Sequence, residues 1–165
     1  MYLVTGLEHT FPSADVTEFH SVLDELPLDR EIRVQAEMLP KPVGPDVHRL
    51  RIVAPLLVFF AFFARQRLGC RLGEQNGAAG DAFSAWLTRL RRALGRDGRE
   101  LELSIRDDIE RVELVFDSAG RELPREAYSQ LFEMVARWSL EPERRSRRCM
   151  VYFGQAGWVE VDADG

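Results

Sequence analysis

Two cysteines, one lysine and one asparagine are all that a chain of 165 residues contains of those types. Cys70 and Cys149 lie far apart and neither belongs to a CxxC pair. That excludes a disulfide framework and offers no thiol pair to a zinc ribbon or redox centre. The opening MYLVTGLEHTF has neither the basic stretch nor the apolar core of a secretion signal. The expectation is a reducing, cytoplasmic setting with two free thiols. Positive charge is also in deficit: 22 basic against 27 acidic groups give -5, which argues against nonspecific binding to nucleic acid. No apolar run reaches the roughly 20 residues of a membrane-spanning helix.

The longest such run, Ile52–Ala64, reads IVAPLLVFFAFFA and ends at Arg65 and Arg67. It has no polar face between Leu56 and Phe63, unlike a helix that lies on lipid. Its expected place is therefore the interior, as a helix from Pro55 to about Arg67. A central strand competes, because Val and Phe favour sheets. Membrane association through Ile52–Ala64, with the arginines meeting anionic lipid, is a third functional reading.

The rest of the chain alternates helix and strand patterns. Tyr2–Leu7 reads as a strand. Asp15 and Glu18 open a helix that carries Val16, Phe19, Leu23 and Leu26 and stops at Pro27. Ile32, Val34, Ala36 and Met38 alternate with polar residues, and Val47–Val53 reads as the next strand. Glycines at 69, 73, 77 and 80 suggest a loop, with Asp81 capping a helix whose Phe83, Trp86, Leu87, Leu90 and Leu94 share one stripe. Leu101–Ile105 and Val112–Phe116 flank a turn at Asp107 and Asp108. Pro124 opens a helix through Tyr128, Leu131, Val135 and Trp138. Met150–Phe153 and Trp158–Val161 flank GQAG. The order β-α-β-β-α-α-β-β-α-β-β predicts a single α+β domain over residues 1–165. Its sheet should be mostly antiparallel, with two hairpins packed against helices.

Candidate sites are thin. His9, His20 and His48 have no metal-ligand spacing. The glycine segment lacks the GxxxxGK[ST] of a phosphate loop, and Asp81 would repel an anion there. No GxSxG surrounds Ser84. Arg144, Arg145, Arg147 and Arg148 form a short basic run beside Glu141 and Glu143. No cofactor is implied. Glu133 or His20 would be the general base of a small enzyme or ligand-binding protein whose site assembles only in the fold.

The stretch HSVLDELPLDREIRVQAEMLPKPVG, followed by an apolar helix and then AWLTRLRRALGRDGRELELSI, resembles the small effector-associated constant domains of bacterial conflict systems. The resemblance covers about half of the chain and rests on element order and a Pro/Gly loop. The glycine segment and the C-terminal hairpin depart from it. It implies a bacterial adaptor and transfers no functional residue.

Charge is unevenly spread: -4 over residues 1–52, +5 over 53–99 and -6 over 100–165. With no catalytic set in the sequence, the leading expectation is a non-enzymatic protein-binding domain, an immunity, antitoxin or adaptor protein. Its partner would be another protein, such as a basic effector or toxin, met through Asp107, Asp108, Glu110 and Glu113. Self-association stays open.

Overall fold

The computed structural model describes residues 2–26, 32–40, 42–95, 101–116, 123–141 and 149–162. Alternation in the sequence becomes one seven-stranded sheet: β1 (Tyr2–Thr5), β2 (Ile32–Leu39), β3 (Val47–Val53), β4 (Leu101–Asp107), β5 (Val112–Phe116), β6 (Cys149–Gly154) and β7 (Gly157–Asp162). The strands lie side by side in chain order. Among the described residues five helices connect them: α1 (Leu7–Thr10), α2 (Val16–Leu23), α3 (Leu56–Leu68), α4 (Asn76–Ala93) and α5 (Arg125–Trp138). The α+β reading holds, but the sheet is mixed rather than mostly antiparallel. The β1–β2, β3–β4 and β5–β6 pairs are parallel. The β2–β3, β4–β5 and β6–β7 pairs are antiparallel. Each parallel pair is bridged by helix, the connection that parallel neighbours require. The third antiparallel pair, β2–β3, was not among the two expected hairpins, because three prolines and a glycine break its connection.

Ile32, Val34, Leu50, Ile52, Leu103, Ile105, Leu114 and Val151 point to one side of the sheet and share a single core with α2, α3, α4 and α5. All the helices that contribute to that core therefore cover the same face. Strand direction reverses from one parallel pair to the next while the order runs steadily across the sheet. The middle crossover consequently has the opposite hand to the outer two. Three crossovers of one hand would have put the middle helices and the outer ones on opposite sides and covered both faces. Among the described residues, the departure leaves one face of the sheet without a helical layer.

The apolar run is α3, as expected, and the competing strand is excluded. Pro55 precedes its first turn and Gly69, at φ 64, closes it in the left-handed region that a side chain disfavours. Phe59, Phe60, Phe62 and Phe63 are all buried. The rings of Phe59, Phe60 and Phe63 pack against Phe83, Trp86 and Phe132 at centroid distances of 5.1–6.1 Å, mostly edge-on. Among the described residues no helix is long and apolar enough to cross a membrane.

The helix expected after β1 begins at the Asp15 cap, whose side chain accepts from the Glu18 N–H at 3.0 Å. Two expectations are corrected. A short helix, α1, precedes it, and the supposed glycine loop gives way to helix from Asn76, so that Gly77 and Gly80 are helical. α4 starts at Asn76, five residues before Asp81, so Asp81 is an interior residue rather than a cap. It pairs instead with Arg125 at the start of α5, with Arg125 Nε donating to Oδ1 at 2.7 Å. That hydrogen bond holds the Asp81 carboxyl below its usual range. Gly80 sits where α4 touches α5: an added Cβ would lie 2.9 Å from the backbone of Tyr128 and Ser129.

Candidate functional site

On the uncovered face, strand neighbours form rows that can be followed from strand to strand. One row runs Arg33, Val53, Arg106, Glu113, Met150, Val161, and the next Gln35, Arg51, Ser104, Val115, Tyr152, Val159. Arginines and glutamates alternate over β2 to β5 and pair with one another. Arg49 Nε donates to Glu102 at 2.5 Å, Arg51 Nε donates to Glu113 at 2.8 Å, and Glu37 lies 3.3 Å from both arginines. Ser104 Oγ donates to Glu113 at 2.9 Å. Only 13% of the Arg51 side chain and 11% of that of Glu113 meet solvent. The arginine stems lie along the sheet while their heads are satisfied, so the network shields the strands beneath it.

At the end of this face the chain turns from β4 to β5. Asp107, only 3% exposed, builds that turn. Its Oδ1 accepts the N–H groups of Ile109 and Glu110 at 2.9 and 3.0 Å. Its Oδ2 accepts the Leu56 N–H at 2.8 Å, satisfying a donor that the first turn of α3 would otherwise leave open. One carboxylate thus locks the turn and pins the phenylalanine helix to it. Asp108 is held from two sides, by Arg33 Nη2 at 2.8 Å and Arg106 Nε at 2.7 Å. Arg111 closes the turn at φ 56, in the left-handed region that a non-glycine residue rarely takes. Between these fixed points Ile109 stands 75% exposed. Beside it lies a shallow pocket of about 150 Å³ lined by Arg106, Asp107, Asp108, Arg111, Val112 and Glu113.

Asp107→Asn should cost about 1–3 kcal/mol, because an amide nitrogen cannot accept and at least one buried N–H loses its partner. A thermal melt followed by circular dichroism should drop by roughly 2–12 °C for a chain of this size. An unchanged midpoint would mean that the carboxylate does not hold the turn.

The four expected contact residues therefore occupy one neighbourhood but not one kind of environment. Asp107 and Glu113 are buried and engaged in internal bonds. Asp108 is exposed and shared by two arginines, and Glu110 is half-buried at the tip. Asp107, although in the turn, is enclosed rather than offered to a partner. Sequence reasoning missed Ile109, whose signal was an apolar residue inside an otherwise charged turn. It also missed Arg33 and Arg106, which β-strand alternation puts on the same face as Glu113.

The remaining candidates do not converge. His9 is exposed on α1 and His20 half-buried on α2, beside Phe19. His48 lies on β3 against Phe11. Glu133 is exposed on α5, Ser84 lies on α4, and neither lines the pocket. Among the described residues no group of three or more His, Cys, Asp or Glu could hold a metal ion. Cys70 and Cys149 are not joined by a disulfide. Arg144, Arg145, Arg147 and Arg148 lie outside the described residues.

Comparison with family models, with curated proteins and with solved structures finds no match to this chain. The resemblance to effector-associated domains rests on the residues quoted for it alone.

Proposed function

We propose that this chain is a protein-binding domain, an immunity, antitoxin or adaptor protein that captures a partner with a basic surface at the β4–β5 turn. The observation that carries this reading is the turn itself: Ile109, 75% exposed, on a turn that Asp107 holds through the Ile109 and Glu110 N–H groups and ties to α3 through that of Leu56. An apolar side chain on a fixed loop loses little entropy when a partner's pocket closes over it. Asp108 and Glu110 flank it. A carboxylate offers about four acceptor positions, so Asp108 can keep Arg33 and Arg106 and still meet a partner's arginine or lysine. The net charge of -5 draws a basic partner in, and Ile109 supplies the anchor once contact is made.

The test is a photo-crosslinking residue placed at position 109 in the source cells, followed by kinetics with the purified adduct partner. Asp108→Lys and Glu110→Lys together should lower the association rate about tenfold or more and flatten its salt dependence. Ile109→Ala should raise the dissociation rate. A partner whose binding survives all three changes does not use this turn.

A further inference from the structure

Beyond β5 the uncovered face changes character: Met150, Tyr152, Val159 and Val161 adjoin one another beside the buried Val115, with Tyr152 39% and Val161 43% exposed. Over β2 to β5, four arginines (Arg33, Arg49, Arg51, Arg106) meet four acids (Glu37, Glu102, Glu113, Asp108), each in an ion pair within the chain. We propose that this face packs against the same face of a second copy, sheet on sheet, across a two-fold axis.

Charge and area both point to that occupant. The chain carries -5, whereas the eight paired charges of this face among the described residues cancel. Two copies repel each other least through this face. Its ions already have partners, so a second copy can remove water from them without stranding a charge. The apolar strip with its tyrosine gives the composition found at interface centres. Seven strands about 4.8 Å apart and about six residues long make a plan area of roughly 600 Å². With side-chain relief, that approaches the roughly 800 Å² per partner of a standard interface. A two-fold contact brings each patch onto itself, which suits a face that is neutral and internally paired. This contact spans the sheet face with its apolar centre on β5 to β7, and it shares Asp108 with the partner reading at the turn.

Sedimentation equilibrium of the full chain tests it. The wild type should dimerise below about 100 µM, within the range of specific protein association. Tyr152→Arg and Val161→Arg should each weaken the dimer at least about 100-fold by placing an unpaired charge in it. At concentrations too low for the dimer, their melting temperatures should match the wild type, because both side chains are exposed in the single chain. Val43→Arg, in the exposed β2–β3 connection, should leave the dimer intact. A wild type that stays monomeric over this range would overturn the proposal, and so would a dimer that tolerates both arginines. The turn is read separately, through partner kinetics with Glu110 and Ile109.

Discussion

Phe83→Ala should remove about 3–5 kcal/mol of folding stability, the range for deleting a fully buried aromatic ring. This side chain joins several layers of the core at once. The Phe83 ring meets Phe60 at 5.4 Å and Phe63 at 5.3 Å on α3, and Phe132 at 6.0 Å on α5. It meets Phe116 at 5.4 Å on β5 and stacks on Trp86 of its own helix. Alanine would leave a void bounded by rigid rings that cannot collapse into it without losing their edge-to-face contacts. Small domains hold only about 5–15 kcal/mol in reserve, so the variant would sit near the limit of folding. Chemical denaturation followed by tryptophan fluorescence reads the loss, and Leu140→Ala, at an exposed position, should leave the midpoint in place. A cost below about 1 kcal/mol for Phe83→Ala would mean that the aromatic cluster does not carry the core.

Gly80→Ala should be destabilising by about 2–3 kcal/mol, against the ordinary preference of helices for alanine. An alanine methyl would stand 2.9 Å from the Tyr128 carbonyl carbon and the Ser129 nitrogen. Those atoms belong to the backbone of α5, so relief requires α4 and α5 to move apart, dragging Phe83 and Phe132 with them. Gly77, three residues earlier on the same helix, faces open space: a methyl added there would meet nothing within 4 Å. Gly77→Ala should therefore be neutral or stabilising by up to about 1 kcal/mol. The opposite signs of two identical substitutions on one helix, measured by denaturant titration, make the test. If both stabilise, α4 and α5 do not cross at Gly80.

The same glycine explains the largest misreading of the sequence. Glycines at 69, 73, 77 and 80 look like a loop because glycine weakens an isolated helix. At Gly80 the residue is small because another backbone occupies the space where a side chain would be, and nothing local encodes that neighbour. The acid at 107 was misplaced for a related reason. Asp107 and Asp108 are adjacent in sequence, yet one faces the N-terminus of α3 and the other the arginines of β2 and β4. Turn chemistry predicts that acids occur there, but which is enclosed depends on where α3 begins. The strands β2, β4, β5 and β6 needed no such help, since each carries a run of apolar residues at alternate positions.

Local pattern was thus sufficient for most elements: period two for strands, period 3.6 for α4 and α5, and an unbroken apolar run for the enclosed α3. These signals depend only on neighbours within a few residues. Pairing direction, crossover hand and the uncovered face were settled by the tertiary structure. They depend on which side of the sheet each helix returns to, and helices that could cover either face leave no local mark of that choice. The arginine and glutamate rows, the locked turn beneath Ile109 and the apolar strip at Tyr152 exist only because distant strands were brought into register along that one open side.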